Sequence, residues 1–135
     1  MSRSHQLAWA AGFFDGEGFV TIQKRTGKYD SHYLRVGINH VAKEPLTEIQ
    51  SIFGGTIRHT DKVSGNRKPR HTWTLSTLQA KDFLEQIKPY SKNKGEVIDL
   101  GIEFQGLMGT GKVSDEMYNL RQDYKEKITH INSLD

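Results

Sequence analysis

In the stretch "AAGFFDGEGFV" (residues 10–20) two carboxylates, Asp15 and Glu17, stand one residue apart among three glycines. Small and aromatic residues of a helical pattern precede them, and an alternating, strand-like segment begins directly after. Gly16 would let the backbone turn, so that Glu17 projects just past the helix end. Ala8, Ala11 and Gly12 put small side chains along one side of that helix, which permits close approach of another backbone. If two copies packed through that side, two Glu17 carboxylates would meet at the bottom of the seam. Without cations two such groups repel, and one is driven towards protonation. A divalent ion removes the conflict: Mg²⁺ takes oxygen ligands, binds through one or two carboxylates and accepts phosphate oxygens. A shared metal clamp of this kind suits phosphodiester hydrolysis. On residue types alone, the competing reading is a pair of solvated acids in a glycine turn.

The elements that must hold such a centre follow from periodicity along a chain of 135 residues, the length of one domain (1–135). Residues 4–14 read as a helix capped by Ser4. Residues 19–25 alternate, with Val20 and Ile22 inward, and 26–31 form a turn. Residues 33–40 alternate again, with Leu34, Val36 and Ile38 inward and Gly37 and Asn39 outward. Residues 42–55 read as a helix striped by Leu46, Ile49 and Phe53 and stopped by Gly54-Gly55. A second strand pair is expected at 56–63 and 70–76, joined by the basic turn "SGNRKP". A helix over 77–87 would bury Leu78, Phe83, Leu84 and Ile87. Helices over 93–107 and 114–131 complete the chain, the last striped by Met117, Leu120, Tyr124, Ile128 and Ile131. Phe13, Phe14 and Trp73 read as core beneath a sheet. The order αββαββα with a helical tail defines an α+β domain.

Charge narrows the partner. The formal net charge is only +3, but residues 19–76 alone carry +6, with ten Lys or Arg against four acids. A basic middle section attracts polyanions. Each strand alternates, so the sheet has one apolar face for helices and one polar face left over. That face would present Thr21, Gln23, Arg25, Tyr33, Arg35, Asn39, Arg58, Thr60, Lys62, Arg70, Thr72 and Thr74, with Arg67 and Lys68 in the basic turn. Cations and neutral hydrogen-bonding groups with almost no acids fit a nucleic-acid surface: Arg pairs with guanine, Gln or Asn with adenine. A ten-residue strand spans roughly 33 Å, about ten base pairs, so a symmetric pair of subunits could read a long site. There is no cysteine, which excludes disulfides and thiolate metal sites. No apolar run reaches membrane-spanning length and no signal-peptide pattern opens the chain, so an intracellular protein of cytoplasm or organelle, with no membrane partner, is expected. His5, His32, His59, His71 and His130 lack metal-ligand spacing.

The segment "AAGFFDGEG" resembles the signature of the LAGLIDADG homing endonucleases, with Ala10 in place of the leading leucine and Glu17 as the final acid. The segments "IQSIFGGTI" (49–57) and "IKPYSKNKGEVIDL" (87–100) are similar to the same family, and the likeness covers most of residues 5–107. A single signature copy is similar to the homodimeric members. The resemblance implies a four-stranded antiparallel DNA-binding saddle and hydrolysis of double-stranded DNA at a long, near-palindromic site with Mg²⁺ (or Mn²⁺). It implies that Glu17 is the catalytic metal-binding acid and that the main-chain carbonyl of Gly16 can reach a metal. Asp15 would be structural at the helix end, accepting backbone or cross-subunit hydrogen bonds. Lys94, with Lys92 as the competing choice, would be the basic residue near the scissile phosphate. Asn39, with His40 adjacent, would orient solvent. The same resemblance leaves two other readings: an RNA splicing maturase that binds intron RNA, and a DNA-binding protein without cleavage. It also implies an origin in a mobile genetic element, such as an intron.

Overall fold

The computed structural model describes residues 2–27, 31–60, 69–109 and 112–134. Helix α1 (Arg3–Glu17) leads straight into β1 (Gly18–Arg25), followed by β2 (Ser31–His40), α2 (Glu44–Phe53), β3 (Thr56–Thr60), β4 (Arg70–Ser76), α3 (Thr77–Ile87), a short 3-10 turn (Lys88–Tyr90), α4 (Gly95–Gly106) and α5 (Asp115–Ser133). The strands form one sheet in the order β1-β2-β4-β3, every neighbouring pair antiparallel. The expected αββαββα order with its helical tail is therefore the fold of this chain.

Helix α1 differs from expectation at both ends. Ser2, not Ser4, is its cap, with Oγ accepting from the His5 N–H at 3.3 Å. The helix also runs on through Asp15 and Gly16, so that Glu17 is its last residue rather than a group beyond it. Glycine in a helix costs only about 1 kcal/mol, too little to force a stop where the flanking turns are well packed. The stop comes at Gly18, whose N–H still bonds Phe14 O while the backbone turns extended. A Cβ at Gly18 would lie 2.7 Å from Phe14 Cγ, so the close passage of the Phe14 ring requires glycine there.

Between the sheet and its helices lies a core of Phe14, Val20, Leu34, Val36, Ile38, Leu46, Ile49, Trp73, Phe83, Leu84, Ile87, Ile98 and Phe104. Phe83 is its hub, with the rings of Phe14, Phe53 and Trp73 within 5.2 Å of its own and close to perpendicular. Edge-to-face pairs of this kind each add about 0.5–1.5 kcal/mol beyond burial. At the exit of α2, Gly54 and Gly55 take positive φ angles of 79° and 94°, and Trp73 Nε1 donates to Gly54 O at 2.8 Å. Buried indole is thereby tied to the turn that starts β3.

Two helix faces depart from the sequence reading. On α3 the buried positions are Ala80, Phe83, Leu84 and Ile87, and Leu78 is 66% exposed. The stripe at i, i+3, i+4 and i+7 begins at Ala80, and Leu78 lies about 200° round the helix from it. On α5 Ile128 is buried as expected and Tyr124 and Ile131 pack against the core, but Arg121, 5% exposed, also turns inward while Leu120 is 40% exposed. The Arg121 guanidinium donates to Leu107 O, the C-cap residue of α4, at 3.2 Å, so a polar bond selects the rotation of α5 that hydrophobicity alone does not. His32, buried under α5, meets Gln122 Oε1 through Nε2 at 2.9 Å, and Asn132 Nδ2 donates to Val20 O on the edge strand at 3.0 Å.

Candidate nucleic-acid interface and metal-ligating centre

Register fixes which side chains share the polar face. Thr21 lies opposite Arg35, Gln23 opposite Tyr33 and Arg25 opposite Ser31. Asn39 lies opposite Thr72, which lies opposite Arg58, while Thr74 faces Thr56 and Arg70 faces Thr60. Directly opposed residues point to the same side, so Thr21, Gln23, Arg25, Tyr33, Arg35, Asn39, Arg58, Thr60, Arg70, Thr72 and Thr74 form one surface. The apolar residues Val20, Ile22, Leu34, Val36 and Ile38 point the other way and are buried. None of the four strands contains Asp or Glu. Among the described residues, no carboxylate pairs with Arg25, Arg35, Arg58 or Arg70. Lys62, Arg67 and Lys68, also expected on this surface, lie outside the described residues.

Several of these side chains are already oriented. Gln23 Nε2 donates to Thr21 Oγ1 at 3.1 Å and Thr72 Oγ1 donates to Asn39 Oδ1 at 2.6 Å. The Arg25 guanidinium stacks over the Tyr33 ring at 4.5 Å, which holds its planar donors outward without neutralising them. Phe19 also belongs to this face and was not singled out by its sequence. Its ring covers Gly37, where a Cβ would come within 2.6 Å of Phe19 Cζ. Gly37, outward by alternation, is therefore buried.

At one end of this surface stands the DGE segment. The ladder begins with Gly18 opposite Ile38, so Glu17 and Asn39 are the next residues along the same register. The two acids have different environments. Asp15 accepts from Ser91 Oγ at 2.6 Å on Oδ1 and from the Lys92 N–H at 2.7 Å on Oδ2. Asn93 Nδ2 donates to its main-chain oxygen at 3.3 Å. Both carboxylate oxygens thus accept a bond from the chain's own 91–92 segment. Glu17 is exposed and accepts no hydrogen bond from the described residues. Gly16, likewise exposed, lies in the last helical turn, where carbonyls lack helical partners.

Lys94 is the N-cap residue of α4, half-buried, with its N–H 3.4 Å from Ser91 Oγ. The same serine thus touches both Asp15 and the backbone of Lys94. Lys92, in the same loop, is exposed. Ser91 and Asn93 were not foreseen: 76 and 78 residues separate them from Asp15, and no local pattern links them. Among the described residues no three His, Asp or Glu side chains converge as a metal cluster.

The small-residue side of α1 also needs revision. Ala11 is fully buried in the chain's own core and is not available to a second helix. Ser4, Ala8, Gly12 and Gly16, four residues apart, are the exposed small positions. A Cβ at Gly12 or Gly16 would meet nothing within 4 Å, so the space above both is open.

A scan of protein-family sequence models finds no match to the chain, and a search of curated protein sequences finds none either. Solved structures do match. The homing endonuclease I-CvuI, in complex with a DNA target, superposes with a TM-score of 0.79 at 19% identity, covering 93% of this chain and 81% of that one. The archaeal intron-encoded homing endonuclease I-Vdi141I, complexed with DNA, gives 0.79 at 12% identity over 96% and 85%. The LAGLIDADG homing endonuclease I-GzeII, in complex with its DNA target, gives 0.64 at 17% identity, over 86% of this chain but only 40% of its own. This chain has the LAGLIDADG homing-endonuclease fold, the fold its signature segment implies.

Proposed function

We propose that the chain is a site-specific, double-strand DNA endonuclease that works as a homodimer with Mg²⁺ or Mn²⁺. The observation that carries the reading is an exposed Glu17 at the edge of a sheet face where, among the described residues, Arg25, Arg35, Arg58 and Arg70 meet no carboxylate and the strands hold no acid. A glutamate carboxylate and the Gly16 carbonyl are the oxygen donors that a hard divalent cation takes. When bound, that ion would supply charge neutralisation at the phosphate and acidify its water.

The rest is done by the chain. Arg25, Arg35, Arg58 and Arg70 attract the backbone and read guanine edges, while Gln23 suits adenine. Thr60, Thr72 and Thr74 hydrogen-bond phosphates or bases, and Lys94 places a cation beside the scissile phosphate. Asn39, one residue beyond the Ile38 that pairs with Gly18, orients solvent there. Among the described residues one subunit offers a single carboxylate without a partner at this centre, and a second copy packed along Ala8, Gly12 and Gly16 would bring the other. Dimer symmetry then matches a near-palindromic site.

The test is incubation with a plasmid library of candidate sites, with Mg²⁺ or Mn²⁺ and without either. Recovery of discrete double-strand cuts only with metal is expected. Selective binding of duplex that stays uncut would replace this reading with a DNA-binding module, and selective retention of intron RNA over duplex would replace it with a maturase.

A further inference from the structure

We propose that Ser91 and Asn93 are positioning residues for cleavage, setting Lys94 against Glu17. The inference rests on the endonuclease reading of Glu17 and Lys94.

Three donors converge on Asp15 from this loop: Ser91 Oγ at 2.6 Å, the Lys92 N–H at 2.7 Å and Asn93 Nδ2 at 3.3 Å. Asp15 is two residues from Glu17 in the same final turn of α1, so the bonds fix the loop to the backbone that carries the catalytic acid. Ser91 Oγ adds a fourth link by accepting from the Lys94 N–H at 3.4 Å. A single hydroxyl therefore joins the acid-bearing helix to the backbone of the lysine. Hydrogen bonds to a carboxylate are about twice as strong as neutral ones, which favours this loop conformation over others of similar length.

Attachment of the loop does not depend on these bonds. Ile87 before it and Val97 and Ile98 after it are buried in the core, and Lys88 bridges to Asp99 at 2.6 Å across its base. What the polar bonds determine is the conformation inside the loop, and hence where Lys94 sits. Displacing a reacting group by about 1 Å costs on the order of 100-fold in rate without loss of fold.

The experiment uses the full chain and the duplex recovered from the plasmid library. Ser91→Ala, Ser91→Thr and Asn93→Ala are compared with wild type in single-turnover cleavage in Mg²⁺, in duplex binding in Ca²⁺, and in thermal melting. Ser91→Ala is expected to cut bound duplex about tenfold or more slowly, with affinity within about twofold and a melting temperature lowered only as far as the loss of its hydroxyl's hydrogen bonds explains. Ser91→Thr, which keeps the hydroxyl, restores the rate, and Asn93→Ala shows a smaller loss. Wild-type cutting by Ser91→Ala, a rate loss matched by equal losses of affinity and melting temperature, or failure of the threonine to rescue would overturn the inference. A wild-type protein that cuts no duplex with either metal would fail earlier, and would remove the endonuclease reading itself.

Discussion

At the residue scale, the two acids of α1 have different surroundings, because donors reach one and not the other among the described residues. Asp15 is held on both oxygens by the 91–92 segment, whereas Glu17 meets no donor among the described residues. Substituting each by its amide should separate the two roles. Glu17→Gln is isosteric and removes the charge proposed to bind metal without breaking a hydrogen bond among the described residues. It should abolish cutting in Mg²⁺ while duplex binding and melting stay near wild type; cutting at the normal rate would show that the metal assignment is wrong. Asp15→Asn turns one acceptor into a donor, which then faces either the Lys92 N–H or the Ser91 hydroxyl. It should lower stability by about 1–3 kcal/mol in denaturant melts, since a donor is left unsatisfied. The presence of the pair was legible in the DGE spacing. Their division, Asp15 structural and Glu17 for metal, was implied by the family resemblance, but the donors that hold Asp15 were not legible, because they lie more than seventy residues away.

At the element scale, alternation and helical stripes revealed which segments form strands and helices because burial on one face is a local pattern. The bounds of β4 and α3, and the glycine stop after α2, follow from it directly. Rotation of a helix about its axis is less legible, since it depends on what lies opposite. Leu78 was assigned inward because it is apolar, yet the sheet is met by Ala80 and Phe83. Arg121 was passed over because it is charged, yet it closes the end of α4. The sheet face is an element-level property too, and it predicts a distinction between its members. Arg35→Ala or Arg70→Ala should weaken binding to the selected duplex by about 1–3 kcal/mol if the arginine reads a base, with specificity relaxed at one position. A phosphate-contacting arginine would instead weaken all sequences alike and reduce the salt dependence. Binding to mutated duplexes at several salt concentrations distinguishes the two, and an unchanged affinity would remove that side chain from the interface.

At the scale of the whole molecule, helix α1 carries a feature that the isolated chain does not use. Gly12 and Gly16 lie on an exposed helical surface with open space above them, where alanine would be more favourable by about 0.5–1 kcal/mol each. Burial of Ala11 shows that the sequence-level seam was drawn about a quarter turn too wide, and that the part left outside is the row Ser4, Ala8, Gly12 and Gly16. A bare row of small residues lets a second backbone come close, and in the proposed dimer that contact brings the two Glu17 residues together. Gly12→Leu tests this with opposite signs at the two levels. Within one chain a Cβ at Gly12 meets nothing within 4 Å and leucine improves helix propensity, so the fold should stay intact or become slightly more stable. Between chains it would hold the helices apart and separate the two carboxylates. Sedimentation should therefore report a shift from dimer to monomer, circular dichroism an unchanged or higher melting temperature, and the cleavage assay a loss of double-strand cuts. A Gly12→Leu protein that cuts both strands as fast as wild type would mean that the two active sites do not meet through this helix.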